Sequence, residues 1–428
     1  MRCPRPVYPL IGLFALIACG GATGSSATPT PASTGSQAQT ACSPARSQAQ
    51  STPGSTTPAP APGLSVAGGL HIQIIAHVSR ARELAILPNG DLLVATGGSN
   101  VDLLPLAQNS SGIPAAHTFI TIADPPDSGI AFSTAQCAIY VAGGHGVYRI
   151  PYSKGDQRAQ STPQLIASIR TGSVAPNSDG DVHRTASVTF SDATRVLYAS
   201  VGSSCNACAE VDPTRAVIEQ MTPAGGGMTT RATRIRNAIA LTADPASGQL
   251  WAGDAGQDNL PSGHPYEFLD DVSTHAGVAD YGWPNCEEDH VAYTQGAQCG
   301  TTVAPSIEFP AYSTLIGATF YPQHPSGANA LPASYRGGIF VTRHGSWHTP
   351  GGCNVVPEVD FVPMHGDVPA IPVSWSDPTK QWQPFVTGFQ PGCSSSTRIG
   401  RPTGIAVGTD GSLFVGDDAT GAIYRVRP

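Results

Sequence analysis

The sequence predicts an all-β fold: a six-bladed β-propeller behind a signal peptide and a disordered tether. Three observations predict it. One hairpin phrase recurs six times along the chain. Glycine and proline, 48 and 39 of the 428 residues, favour turns over long helices. The residues before about position 64 also differ in composition from all that follows.

The N-terminus reads as a sorting signal. Arg2 and Arg5 precede an apolar run, Leu10 to Ala18, too short to span a bilayer. The run closes as Leu16-Ile17-Ala18-Cys19-Gly20, which looks like a bacterial lipobox. Residues 1–18 are expected to be a lipoprotein signal peptide, cleaved before Cys19, with that cysteine carrying the lipid. Two acyl chains are what stable anchoring requires. Residues 19–63 are Ser, Thr, Pro, Ala, Gln and Gly with almost no large apolar side chain. They cannot bury enough surface to order themselves and are expected to be a flexible spacer. Residues 64–428 remain as the folded domain.

The recurring phrase is a small turn followed by an alternating apolar strand. Its copies are Pro88 to Val94, Ser133 to Val141, Ser191 to Tyr198, Asp244 to Trp251, a weaker Tyr335 to Val341, and Thr409 to Val415. Turn residues ahead of a short β-rich run are a hairpin signature. Several copies follow another apolar run, such as Ala238 to Leu241 and Gly404 to Val407. Six copies, each separated by about one small sheet plus loops, point to six blades. The longer spacings between the fourth and sixth copies are expected to hold functional loops on one face. A large sandwich or two smaller β domains would explain the hairpins but not a sixfold phrase.

The formal charge is −8 and only 12% of residues are charged. This balance argues against nucleic acid or an anionic membrane surface as a partner. Membrane contact is expected through the lipid anchor only. No dinucleotide-binding glycine motif, Walker loop or nucleophile elbow appears. Gly225-Gly226-Gly227 sits in a turn context and reads as a blade loop.

Ten cysteines fit an oxidising compartment. Cys3 leaves with the signal, Cys19 takes lipid and Cys42 lies in the tether, so seven remain. One of the seven is free or pairs with Cys42. The candidate pairs are Cys205 with Cys208, Cys286 with Cys299, and Cys353 with Cys393, although sequence does not fix connectivity. Zinc is the alternative at Cys205–Cys208, but no second CxxC or spaced histidine pair accompanies it. Ala209 stands where covalent haem attachment needs histidine.

Several stretches are too specific for a scaffold: Gly202 to Pro213 with its CxxC; Arg236-Asn237 followed by Asp254-Ala255-Gly256-Gln257-Asp258; Asp280-Tyr281-Gly282-Trp283-Pro284-Asn285-Cys286; His344-Gly345-Ser346-Trp347; and Gly400-Arg401-Pro402-Thr403-Gly404 through Asp417-Asp418 to Val426. In this order, from about Leu70 to Val426, the chain resembles the glucose/sorbosone dehydrogenase family, and more its L-sorbosone dehydrogenase branch. That resemblance implies a six-bladed propeller holding pyrroloquinoline quinone (PQQ) on one face beside Ca2+. It implies oxidation of a sugar, an aldose or sorbosone-like aldehyde, by hydride transfer to the quinone. The partners would be a small sugar and an unidentified electron acceptor, at the cell envelope outside the cytoplasmic membrane.

The resemblance also assigns roles. His183 is the expected base, since imidazole titrates near working pH. Arg236, Asn237 and Arg401 match cofactor-contacting positions, where arginine suits carboxylates. Gly256 and Gln257 fall where the family offers backbone carbonyls to Ca2+, a hard cation that takes oxygen ligands. Asp254 and Glu267 could support that site or be solvated loop acids. The chain departs from the family twice. The family's His-x-x-Arg reads His183-Arg184-Thr185-Ala186 here. Neither Lys154 nor Lys380 lies where the glucose-oxidising members use a lysine, and Arg343 is the nearest replacement. Tyr281, Trp283 and Trp347 are candidates for a sugar-stacking platform or for blade packing. A non-catalytic carbohydrate- or protein-binding propeller stays open as the alternative. A lactonase-type hydrolase ranks below both, for want of a clear carboxylate and amide ligand set.

Overall fold

The computed structural model describes residues 42–43, 55–106, 113–126, 128–176, 180–261, 263–348 and 351–428. The expected signal peptide, Cys19 and most of the tether lie outside them. Among the described residues, regular structure is strands plus isolated 3-10 turns, and six sheets of four or five strands form the blades of a propeller.

Blade 1 is Leu84–Ile86, Leu92–Ala95, Asn100–Leu104 and His117–Thr121. Blade 2 is Gly129–Ser133, Ala138–Ala142, Gly146–Pro151 and Gln164–Ser168. Blade 3 is Ala186–Ser191, Val196–Val201, Val217–Met221 and Thr229–Thr233, with Ala279–Asp280 added in parallel. Blade 4 is Ala238–Ala243, Leu250–Asp254, Glu267–Asp271 and Ile307–Phe309. Blade 5 is Leu315–Phe320, Ile339–Arg343, Glu358–Val362 and Gln383–Thr387. Blade 6 joins the two ends of the domain: Pro402–Val407, Leu413–Asp417 and Ala422–Arg427 are completed by His71–His77.

Every hairpin phrase of the sequence is the turn between a blade's first and second strands. The weak fifth copy has a physical reason. Its two strands are separated by residues 321–338, so the phrase ends a long connection instead of filling a tight turn.

The second strands read as continuous apolar runs because each is covered on both faces. Alternation then divides their side chains between two interfaces. In blade 2, Ile139 and Val141 pack against blade 1, while Ala138, Tyr140 and Ala142 pack against blade 3. One apolar cluster fills each interface around the ring. Each large side chain buried there contributes about 1.5–3 kcal/mol. The first strands come close together at their starting ends. A Cβ on Gly404 would sit 2.4 Å from the Arg82 oxygen, and one on Gly317 would sit 2.7 Å from the Thr403 oxygen.

Because neighbouring first strands start side by side, all six start on one face, called upper here. Connections from second to third strands, and from each blade to the next, emerge on that face. The hairpin phrases lie on the opposite one. Part of the segment that composition places in the tether lies on the domain. Ala59–Pro60 pairs with the edge of blade 6; just after the tether, Ser65–Val66 pairs with the edge of blade 5. Buried Cys42 is bonded to Cys137, which settles the odd cysteine. The pairs Cys205–Cys208, Cys286–Cys299 and Cys353–Cys393 are present as expected.

Candidate functional site

The residues with chemical potential sit in the upper-face connections, most of them just before a first strand. Asn237 immediately precedes blade 4 and Arg401 immediately precedes blade 6; His183 lies three residues before blade 3. They form two groups on opposite sides of the ring's axis.

The first group belongs to blades 3 and 4. His183 is half-buried and its Nδ1 lies 2.8 Å from Ser203 Oγ. That hydroxyl donates its own hydrogen to the Cys205 carbonyl at 2.7 Å. It can therefore only accept from the ring, which puts the imidazole proton on Nδ1 and leaves a lone pair on Nε2. Burial first, then the nearby Arg236 cation, hold the His183 pKa well below its usual value, so the ring is neutral. Gly202 allows His183 and Asn237 to converge: a Cβ there would meet His183 Cβ and Asn237 Oδ1, each at 2.6 Å.

Arg236 is buried and extensively bonded. Its Nε donates to the Asn206 carbonyl at 3.0 Å and Nη1 donates to the Ala255 carbonyl at 2.8 Å. Its Nη2 reaches Asn206 Oδ1 at 2.8 Å and Asp258 Oδ2 at 3.1 Å. The Asn237 backbone N–H donates to Asp254 Oδ1 at 2.6 Å, while its side-chain amide has no hydrogen bond among the described residues. Behind them lie buried acids. Burial pushes Asp254 up to about 7, Glu287 up to about 8, and Glu267 well above the usual carboxylate range. No hydrogen bond among the described residues uses the Gly256 or Gln257 carbonyl. Gln257 N–H donates to Glu287 Oε2 at 3.3 Å, and the buried Glu287 Oε1 has no hydrogen-bond partner among the described residues.

The second group joins blades 5, 6 and 1. Asp418 accepts from Arg82 Nη1 at 2.7 Å and from His344 Nε2 at 2.9 Å. Burial pushes His344 down to about 4 despite that carboxylate, so it too is neutral, with its Nε2 occupied by a donated bond. Arg401 donates through Nε to the His344 carbonyl at 3.1 Å and through Nη2 to the Gly345 carbonyl at 2.9 Å. Its link to Asp417 runs through its backbone N–H, not its side chain. Arg82 uses only Nη1 among its side-chain donors in a hydrogen bond with described residues.

Arg343, the expected replacement for the lysine, is placed differently. Its guanidinium is bonded to Asp360 at 2.5 Å and to Glu358, and it stacks 4.5 Å over Trp382. The residue that reaches Asp418 is its neighbour His344, because alternation turns adjacent side chains opposite ways. The aromatic candidates also separate. Tyr281 and Trp283 are packed away, with Trp283 Nε1 donating to the Asn206 carbonyl at 3.1 Å. Trp347 alone is exposed, at 60%, and its Nε1 donates to Asp258 Oδ1 at 2.8 Å. Cys205, Cys208 and Glu210 have ligand atoms within 4.8 Å of one another. Bonded as a disulfide, the two sulfurs are spent as metal ligands.

The sequence motifs include His344 and Asp418 without a role for either; Arg82, and Asn206 as the partner of Arg236, were not singled out. Arg82 and Asp418 are brought together by closure of blade 6, across 336 positions. A usable signal existed: Arg82 stands just ahead of a first strand, as Asn237 and Arg401 do.

The fold and this face define a class: six-bladed propellers with a cation-lined upper face holding a neutral histidine. Within that class the chain belongs to the TrAA12-like family, whose sequence model matches residues 64–289 and 274–428. Solved structures with the same fold include the holo PQQ domain of Coprinopsis cinerea pyranose dehydrogenase, with a TM-score of 0.70 and 17% identity over 87% of this chain and 98% of that one. Another is the Trichoderma reesei carbohydrate-active enzyme of family AA12, at 0.65 and 20%, covering 89% of this chain and all of that one. The apo soluble aldose sugar dehydrogenase of Escherichia coli matches at 0.58 and 15%, over 84% and 100%. A Borreliella burgdorferi protein is 26% identical over 45% of this chain, and the chain spans about half of that relative's length.

Proposed function

We propose that this protein is a PQQ-dependent sugar dehydrogenase, exported and held by a lipid on Cys19 outside the cytoplasmic membrane. The observation that carries the reading is His183: neutral, with its proton fixed on Nδ1 by Ser203 and its Nε2 lone pair left for a substrate hydroxyl. The PQQ- and dehydrogenase-named structures that share the fold supply the class of chemistry.

The residues present fit the cofactors. Arg82, Arg401 and Arg236 provide cations, and Arg82 and Asn237 keep donors free, which suits a planar tricarboxylate. The unengaged Gly256 and Gln257 carbonyls, with Glu287 close by, suit a hard divalent cation. When bound, PQQ supplies the two-electron acceptor and Ca2+ the Lewis acid. The protein's own part is proton transfer and orientation. His183 Nε2 takes the hydroxyl proton of an aldose or sorbosone-like aldehyde hydrate. The buried, Arg236-facing imidazolium so formed is disfavoured and returns its proton to solvent. Trp347 offers the exposed aromatic face for the sugar ring.

The test is to incubate the purified domain with PQQ and Ca2+, titrate binding, and assay a panel of aldoses with an artificial acceptor. Micromolar or tighter binding and dye-linked oxidation are expected. Absence of PQQ binding at micromolar concentration overturns the proposal. It would favour the second reading, a carbohydrate- or protein-binding propeller without cofactor, for which the engagement of Arg236 and Arg343 within the protein is the supporting observation.

A further inference from the structure

The loop between the second and third strands of blade 3 carries a small covalent ring. Cys205 is buried against Ala216 and Trp283, Cys208 is partly exposed, and their disulfide closes the segment over Asn206 and Ala207. Asn206 makes an unusual number of bonds for one loop residue. Its carbonyl accepts from Arg236 Nε at 3.0 Å and from Trp283 Nε1 at 3.1 Å. Its side-chain Oδ1 accepts from Arg236 Nη2 at 2.8 Å and from the Asp258 N–H at 2.8 Å. Its Nδ2 donates to the Asp258 carbonyl at 3.0 Å. Asp258 in turn holds Arg236 Nη2 and the indole N–H of Trp347. One residue thus connects blade 3, the blade 4 loop and, through Asp258, the exposed tryptophan of blade 5.

Asn206 and the ring lie outside the strand pairing of blade 3. Two of Arg236's bonds end on Asn206, and both require its backbone and side chain to be held together in one orientation. A two-residue loop closed by a disulfide supplies that restraint by removing backbone freedom before any bond forms.

We infer that Asn206, locked by the Cys205–Cys208 disulfide, is the positioning residue that fixes the Arg236 guanidinium for an anionic group bound on the upper face. The identity of that group as a carboxylate of PQQ rests on the function proposed above; the positioning itself does not. The device is redox-dependent. A dithiol gives two electrons and two protons to the bond, leaving two thiols and its own cyclic disulfide. Reduction then frees Asn206 without altering any residue that contacts Arg236.

The experiment reads Arg236 directly, in cofactor-free protein. The arginine Nε–H signals are recorded by NMR, and Arg236 is assigned by its loss in Arg236→Lys. Wild type should show a slowly exchanging Arg236 Nε–H. Asn206→Ala, and separately reduction with dithiothreitol, should speed that exchange at least tenfold. Asn206→Asp keeps both acceptors for Arg236 and should restore most of the protection, which a general loss of fold would not do. An Arg236 signal unchanged in both Asn206→Ala and reduced protein overturns the inference, whether or not PQQ binds. PQQ titration followed by tryptophan fluorescence is the second arm, with Kd expected to rise about tenfold in Asn206→Ala. If Arg236 behaves as expected but wild type binds no PQQ, the positioning stands and the functional reading fails.

Discussion

The two sides of the upper face hold their cations in different ways. On the blade 3–4 side, Arg236 is held by four bonds to residues near it in space and close in sequence, and a disulfide-closed loop braces the arrangement. On the blade 6–1 side, one carboxylate, Asp418, holds both Arg82 and His344, and it meets Arg82 only because the chain ends share a blade. The first side is organised locally and redundantly. The second is organised by ring closure, and its Arg82 and His344 depend on one carboxylate. The two histidines follow the same division. His183 keeps a free Nε2, whereas the Nε2 of His344 is committed to Asp418. Neutrality alone therefore does not make a base; the unoccupied nitrogen does.

Breaking the comparison at the histidines should give the largest effect. His183→Ala is expected to lower kcat by about 10²- to 10⁴-fold, the range for loss of a general base, with PQQ affinity nearly unchanged. His344→Ala should act mainly on PQQ affinity and leave the pH profile of turnover intact. Equal effects on kcat would remove the distinction between the two rings. Next in size is the contrast between the two acids. Asp418→Asn weakens the hold on Arg82 and His344 together and should raise the Kd for PQQ about tenfold, or about 1.4 kcal/mol. Asp258→Asn leaves Arg236 its bonds to Asn206 and Ala255 and should cost less. A larger loss at Asp258 in the same titration would show that the local side is not redundant.

The legible and illegible parts of the sequence divide along the same line. The blades were legible because a tight first-to-second-strand turn leaves a phrase of turn residues and alternating apolar ones, six times over. The site was legible where it is local. Arg236-Asn237, Gly256-Gln257 and the CxxC lie in continuous motifs. Arg82 lies in none of the motifs, and Asp418, though part of the closing one, does not reveal its partner, since only the closure of blade 6 makes them neighbours. Arg343 shows the limit of positional matching: one step along a strand reverses the side chain, so its neighbour His344 occupies the side assigned to it. The tether was read from composition, which does not register that Cys42 is bonded to Cys137 or that Ala59–Pro60 extends a sheet edge.

The last predicted effect is on stability and not on binding, and concerns Glu83, which stands next to Arg82 and lines a cavity of ≈ 350 Å³ bounded by the first strands of all six blades. Its Oε1 is buried without a hydrogen-bond partner among the described residues, and burial pushes its pKa up to about 8. Between the ordinary carboxylate value and 8, the folded protein keeps a proton that the unfolded chain has released. Stability must therefore fall as pH rises through that window. Glu287 on the other side of the axis, also raised to about 8, adds a loss of the same sign. His344, pushed down to about 4, acts oppositely and only below about pH 6.5, where the unfolded chain takes up a proton that the folded one refuses. The interval from about pH 6.5 to 8 excludes His344, and each full carboxyl removes about 2 kcal/mol across it. Glu83→Gln should be spared roughly that loss between pH 6.5 and 8, as measured by denaturant melts. Added Ca2+ should flatten the Glu287 contribution, which lies beside the unengaged Gly256 and Gln257 carbonyls, and leave that of Glu83. A Glu83→Gln variant with the wild-type pH slope would mean that Glu83 is already ionised in the folded protein. The axial carboxyl would then need a cation of its own, and the two sides of the face would be more alike than their hydrogen bonds indicate.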